Sequence, residues 1–424
     1  MRANNEIQNQ FIIKYSMKKL LTSFCLSSLI VCVSAQTKVE FENMLSQINA
    51  DSLKKTVQDL QNFGDRYCDR TPEGNIKVAQ YLVDRLKNYG IDNAKIDSFH
   101  VSMKHWLVGD IDRYFYNVVG RLLGESESDS TIIIGAHLDA IALVKEDGKY
   151  TLLATSPGAD DNASGCAIMI EMARIFYENN LKPTYNIDFM AYDAEELGLI
   201  GAYYDAEKRK NANEKIIMMM NNDMVLNQPY SETWTLNFEY YDNSLDITEK
   251  AMQLCKEYTI LTPHTLVDSV NAKSRQASDS WAYSRNGFRA TYSAEHTLSD
   301  YYHTVADFLE YYNPEYIKEV GKMNFALLYN YAVANTELFI STRKNDAYSV
   351  IVFPNPTTDI VRIHHYNNTQ IDKIEIYDII GRLLDSHYSV SNQTVIDLKN
   401  FNSGVYIIKI YTSYGVVNKK IIKR

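Results

Sequence analysis

Cysteine is scarce in this chain, with five among 424 residues. Two of them, Cys25 and Cys32, fall in an apolar N-terminal stretch, leaving Cys68, Cys166 and Cys255 beyond it. Three thiols allow at most one disulfide and a spare, which excludes a disulfide scaffold and makes a buried core the main source of stability. The chain is 46% hydrophobic and long enough for two or three domains, so such a core is within reach. Positive charge is short as well: the formal net charge is −10, and no basic patch or tail large enough to neutralise phosphates appears. Nucleic acid is therefore not an expected partner. The chain also lacks a comfortable membrane span, because the apolar run Leu20 to Val33 is too short for one. With Met17-Lys18-Lys19 before it and Ser34-Ala35 after it, that run has the three regions of an export signal. The physiological start is expected at Met17 and cleavage after Ala35. A lipoprotein anchored at Cys32 is disfavoured by Val31, which is bulkier than the small residue expected there. Residues 1–35 carry four basic side chains and one acidic, so their removal leaves a mature chain of net charge −13.

Carboxylates and histidines stand at the ends of apolar runs. The β-branched run Thr131 to Ile134 leads to Gly135-Ala136-His137-Leu138-Asp139 and reads as a buried strand. Tyr185 to Tyr192 delivers Asp193-Ala194-Glu195-Glu196 in the same way, and Ile216 to Met220 delivers Asn221-Asn222-Asp223. In an open α/β sheet the carboxyl ends of the strands form the ligand crevice, so these three ends are expected to converge. Between the first two lies Gly158-Ala159-Asp160-Asp161-Asn162-Ala163-Ser164-Gly165, ahead of an apolar helical run. Alone, it reads as a helix N-cap, where Asp and Asn are favoured. Beside the strand ends it reads as part of a cation site, because paired carboxylates are costly without a positive charge and zinc takes nitrogen and oxygen donors of these types.

From about Thr71 to Ala334 these motifs, in order and at similar spacing, resemble the secreted bacterial leucyl aminopeptidases with two co-catalytic zinc ions, in the twenty-eighth metallopeptidase family. The resemblance implies an α/β fold, a mixed, mostly parallel central sheet flanked by helices. It implies that His137 and Asp223 hold one Zn2+, that Glu196 and His303 of Tyr301-Tyr302-His303-Thr304 hold the other, and that Asp161 bridges them. It further implies Glu195 as general base, Asp139 as a carboxylate supporting the ligands, and a cis peptide at Asp161-Asn162. Two ions about 3.5 Å apart would activate a shared water and polarise a carbonyl, while a carboxylate carries the proton to the leaving amine. Asp139 is suited to fix the His137 tautomer. Acidic surroundings would suit a substrate's α-ammonium. Tyr302 matches a tyrosine that donates to the oxyanion in some members, and packing is an equal alternative.

The sequence departs from the family at Ala277-Ser278-Asp279-Ser280-Trp281, where relatives often carry His in place of Ser280 and a nearby disulfide; this bears on the substrate pocket. His264 and His296 are further ligand candidates, although five ligands already complete a two-metal site. Trp106 and Phe115, in the insertion or hairpin Lys104 to Tyr116, could line a cleft but are expected to be buried. Helices are expected within Gln36 to Arg66 and over Asn75 to Tyr89, Leu245 to Tyr258 and Pro314 to Leu338, with Gly90 as a C-cap. Ile96 to Met103 is expected as an edge strand with Asn117 to Leu123 as its neighbour.

Beyond Asn345 the pattern changes to short alternating strands, Val350 to Phe353, Ile360 to His364, Ile371 to Tyr377, Thr394 to Leu398, Val405 to Tyr411 and Val416 to Ile422, which read as a small all-β sandwich. Its Phe353-Pro354-Asn355-Pro356, Gly381-Arg382, Ser403-Gly404-Val405-Tyr406 and basic terminus resemble the C-terminal sorting domain of the type IX secretion system; an adhesive or carbohydrate-binding module is the other reading. The expected organisation is an extension and signal over 1–35, a catalytic domain over 36–345 and a sorting domain over 346–424. The expected function is an exported zinc aminopeptidase acting on peptides, reaching the cell surface or medium through periplasm and outer membrane. A zinc amidohydrolase or glutaminyl cyclase is one alternative, and a catalytically inactive binding protein on the same fold is another.

Overall fold

The computed structural model describes residues 38–68, 71, 73–230, 233–265 and 278–333, then 350–353, 355–365, 371–390, 393–412 and 415–424. The expected signal at Met17 to Ala35, with Cys32, lies outside the described residues. The chain divides into two compact units, residues 1–338 and 339–424.

The first unit opens with helices α1 (residues 38–46), α2 (Ala50–Gln61) and α3 (Ile76–Asn88). Asn49 caps α2 by accepting the amide of Asp51 at 2.8 Å. On α3 the fourfold spacing buries Val78, Leu82 and Leu86, and the chain leaves the helix through Gly90 at φ 73°. Strands β1 (Lys95–His105) and β2 (Gly109–Leu122) follow. They are longer than the sequence suggests and meet in one continuous hairpin, so the expected insertion is itself ribbon. Alternation explains this: Phe99, Ile111 and Phe115 all fall on one face and are buried.

The remaining strands of this unit are β3 (Thr131–His137), the hairpin β4 (Leu143–Glu146) and β5 (Lys149–Leu152), β6 (Asn186–Tyr192), β7 (Ile216–Asn222), β8 (Thr235–Tyr240), β9 (Thr262–Thr265) and β10 (Ala290–Glu295). The eight-stranded sheet runs β1-β2-β6-β3-β7-β10-β8-β9. Its centre, β6-β3-β7-β10, is parallel, and β2 and β8 flank it antiparallel. All seven residues of β3 are buried, as expected where helices cover both faces of a parallel sheet. Helices α4 (Ser164–Glu178), α6 (Leu245–Tyr258) and α8 (Pro314–Ala332) pack with α2 on one side, and α5 (Ile200–Asn211) with α7 (Ser280–Arg285) on the other. This is the mixed α/β architecture expected. The described part of α8 ends at Ala332, short of Leu338, and residues 334–349 lie outside the described ones.

The second unit is all-β: β11 (Val350–Phe353), β12 (Ile360–His365), β13 (Ile371–Asp378), β14 (Leu383–Val390), β15 (Gln393–Asp397), β16 (Gly404–Thr412) and β17 (Gly415–Lys423). Sheets β11-β12-β15 and β14-β13-β16-β17 share one core, in which Val361, Ile363 and Ile396 of the first meet Ile374, Ile376, Ile408 and Ile410 of the second. Strand β14 was not expected, because Asp385, Ser386 and His387 break the apolar alternation in its middle.

Candidate metal centre

Parallel pairing brings three strand ends level. Tyr192 of β6 stands opposite His137 of β3, and Asn221 of β7 opposite Gly135, so Asp193–Glu196 and Asp223 emerge at the edge where His137 sits. The fourth segment is the wide turn Ala159–Ala163 that starts α4. Two glycines let it approach the sheet. A Cβ on Gly158, at φ 57°, would lie 2.4 Å from the Asp161 carbonyl, and one on Gly165 would lie 2.2 Å from that of Asn222. The Asp161-Asn162 peptide is cis, as the resemblance implied.

These segments bring His137, Asp161, Glu196, Asp223 and His303 together. Nε2 of His137 is 3.2 Å from Asp161 Oδ1 and 3.3 Å from Asp223 Oδ1. Nε2 of His303 is 3.1 Å from Asp161 Oδ2 and 3.0 Å from Glu196 Oε2. Each oxygen of Asp161 thus faces a different histidine–carboxylate pair, and within each trio the donor atoms lie within 4.8 Å of one another.

The site fits divalent cations on two counts. Ligands about 2.1 Å from a tetrahedral zinc stand about 3.4 Å apart, close to the separations above. The charges are also out of balance. Burial would lower the pKa of His137, but Asp223 and Glu195 override it and hold it well above the usual value. Burial likewise opposes protonation of His303, yet Glu196 and Asp161 lift its pKa to about 11. Burial, offset in part by His303, raises that of Glu196 to about 7, and its Oε1 has no hydrogen-bond partner among the described residues. Positive charge is what this cluster of buried carboxylates calls for, and cations bound to it would supply it. Glu195, beside the cluster, is held well above the usual carboxylate range by burial, which His137 opposes and Glu196 and Asp223 reinforce.

Other residues hold this arrangement. Asp139 accepts the amides of Glu195 at 3.0 Å and Glu196 at 3.2 Å, and its carboxylate is 3.5 Å from Nδ1 of His137. It therefore touches both ligand-bearing segments, a wider part than fixing one imidazole. Asp307 accepts the amides of Asp160 and Asp161 at 3.0 and 3.1 Å and the hydroxyl of Tyr312 at 2.7 Å. Buried Arg66 donates to the carbonyls of Leu138, Pro157 and Gly158, joining the loop after His137 to the loop before Asp161. Ser278 donates to Asp223 at 2.6 Å. Arg66 and Asp307 were not singled out from sequence; the backbone groups that they hold are 72 to 147 positions away, and no local pattern marks them.

The remaining candidates fall as follows. Tyr302 lines the cleft with its ring stacked on His303 at 3.7 Å, and no hydrogen bond engages its hydroxyl among the described residues. Phe115 is buried, but Trp106 is 77% exposed and lines the cleft, which corrects the expectation of burial. In the β1–β2 turn Leu107 and Val108 pack against the core, and Trp106 is the turn residue left outside it. His264 and His296 stand apart, each bonded to Asn237 Oδ1 at 3.1 and 2.9 Å. Ser280 bonds Tyr241 at 2.7 Å. Cys68, Cys166 and Cys255 are all buried. Cys68 lies near Asp139 and Asp193, but those carboxylates already accept hydrogen bonds, Asp193 from Asn75 and Tyr116.

Residues 117–328, half of the chain, match peptidase family M28. The chain belongs to that family. Residues 351–424 of the peptidase match the secretion system C-terminal sorting domain, which implies secretion or display at the cell surface. No helix among the described residues is long and apolar enough to cross a membrane. The peptidase is 25% identical over 301 residues to a probable leucine aminopeptidase of Arthroderma otae, covering 69% of this chain and 75% of that one. Its fold is similar to that of a zinc aminopeptidase from Bacillus subtilis (TM-score 0.54, 15% identity, 69% and 97% of the two chains). It is also similar to that of a glutaminyl cyclase from Bacteroides thetaiotaomicron (TM-score 0.52, 20% identity, 67% and 98%). The metal named among these proteins is zinc, which suits the donor set.

Proposed function

We propose that this peptidase is an exported aminopeptidase holding two zinc ions, one on His137 and Asp223, the other on Glu196 and His303, with Asp161 shared. The observation that carries the reading is the division of Asp161, one oxygen to each histidine–carboxylate pair. A zinc pair supplies Lewis-acid polarisation of the scissile carbonyl and acidifies a water toward neutral pH. Glu195, lining the cleft beside His137 and Glu196, takes the proton of the attacking water and returns it to the leaving amine. Asp139 keeps Glu195 and Glu196 in place through their amides and orients His137. The Tyr302 hydroxyl donates to the oxygen that gains charge as the carbonyl is attacked. The excess of carboxylates favours an α-ammonium group and disfavours a terminal carboxylate, so the chain end recognised is the amino terminus. Residues 36–345 form the enzyme and 346–424 the sorting tail, and 1–35 hold an extension and the signal that starts at Met17 and is removed after Ala35.

The test is hydrolysis of leucyl-anilide and of its N-acetylated form by zinc-loaded protein, together with metal analysis. Cleavage of the free amine only, with two zinc ions per chain, is expected. Inertness toward a broad aminoacyl-anilide panel, or one zinc per chain with cyclisation of N-terminal glutamine, would overturn the reading.

A further inference from the structure

The β1–β2 ribbon is a large part of the catalytic unit that this chemistry leaves unused. Strand β2 pairs with β6 only over Val118–Leu122, and that register sets Val118 opposite Ala191, next to the carboxyl end of β6. Residues 109–117 of β2, with β1 paired to them, therefore run on past the sheet edge that carries the metal ligands. Nine strand residues reach roughly 30 Å. His105 pairs with Gly109, leaving Trp106-Leu107-Val108 as a three-residue turn closed by Gly109 at φ 82°.

The ribbon is anchored rather than free. The Tyr116 amide donates to Asp193 at 2.9 Å, the Arg113 guanidinium to the Thr71 carbonyl, and the Phe99 ring stacks on Tyr204 at 4.2 Å. At the tip, Leu107 and Val108 pack into the cluster that contains Leu197, the residue directly after Glu196, and Leu143 and Leu152 of the β4–β5 hairpin. Trp106 is the exception. Its indole meets the His105 ring at 5.7 Å and the Tyr150 ring edge-on at 6.2 Å, and the rest of it faces solvent and the metal cleft. An indole held in place yet exposed is a contact surface awaiting an apolar partner.

Its depth tells which part of a substrate it meets. Other liners of the same cleft, Leu199 and Tyr292, are buried, so Trp106 stands at the mouth and they stand below it. An aminopeptidase holds the first residue at the metals, and the rest of the peptide leaves through the mouth. Building on the aminopeptidase reading, we infer that Trp106, backed by Tyr150, forms a subsite for the residue after the scissile bond and selects an aromatic or large aliphatic side chain there. The first residue is left to the buried liners.

Steady-state hydrolysis of Leu-Phe-Gly, Leu-Gly-Gly and leucinamide by the zinc-loaded full chain tests this. Trp106→Ala is expected to lower kcat/KM for Leu-Phe-Gly about tenfold more than for leucinamide, mainly through KM, and Trp106→Phe to recover most of the difference. Equal losses on all three substrates, or no loss on Leu-Phe-Gly, overturn the subsite. Binding gives a second readout. In a Glu195→Gln background Leu-Phe-Gly is expected to shift tryptophan emission, and the further change Trp106→Ala to abolish the shift; a shift that persists undiminished also overturns the proposal. Protein with Trp106 intact that is inert on all three substrates defeats the aminopeptidase reading, and the subsite with it, whereas a result confined to the Trp106 variants bears on the subsite alone.

Discussion

The two units of this chain bury different things. Inside the catalytic unit lie His137, Asp139, Asp161, Asp193, Asp223, Asp279 and Asp307, whereas the core of the C-terminal sandwich is made of Ile, Val and Leu with one Tyr. Burying an ionised group costs several kcal/mol unless charge and hydrogen bonds compensate it. The first unit carries that cost at one sheet edge, and backbone constraint collects there too: Ala194, Leu199, Met224 and His303, all at the cleft or beside it, have positive φ. The sandwich buries few charged groups: Glu375 is matched by Lys373 and by the hydroxyls of Tyr377 and Tyr411, and none of these belongs to its apolar core. One unit is thus shaped by chemistry and the other by stability, as expected of an enzyme joined to an address tag.

Substitutions can break or sharpen this contrast. Asp161→Asn is expected to have the largest effect, emptying both metal sites together and abolishing activity; metal analysis that still finds two tightly held zinc ions per chain would remove the bridge from the account. Glu195→Gln should keep the zinc content and lower kcat about a thousandfold, because only the proton carrier is lost. Near wild-type turnover in that variant would mean that another group is the base. Asp139→Asn, which weakens the acceptor for two amides and one imidazole, should cost about ten- to a hundredfold in zinc affinity or kcat/KM, read by chelator competition and kinetics. Ile408→Ala should destabilise the sandwich by about 2–5 kcal/mol and leave kcat unchanged. Denaturant unfolding followed alongside activity checks this, and a parallel loss of turnover would show that the two units are coupled.

Much of the fold and the ligand set could be read from the sequence because they depend on local pattern. Runs such as Thr131 to Ile134 are uniformly apolar, and a parallel sheet aligns their ends, so His137, Glu196 and Asp223 could be placed at one edge before any coordinates. Strands β8, β9 and β10 were not anticipated, since Thr262–Thr265 and Ala290–Glu295 are short and partly polar; their pairing partners, not their own sequence, make them strands. Arg66 and Asp307 were invisible for a related reason: each acts through backbone groups of distant loops, which any residue can offer. Trp106 was misjudged because an apolar side chain is usually inside; the hairpin register makes residues 106–108 a turn whose other two members, Leu107 and Val108, take the places against the core.

Arg66 has one more consequence. Its guanidinium ties the loop after His137 to the loop before Asp161 from within, and Asp307 grips the amides of Asp160 and Asp161. Two side chains that lie outside both histidine–carboxylate trios thus set the spacing of His137 and Asp161, so a change at either would be felt by two ligands at once.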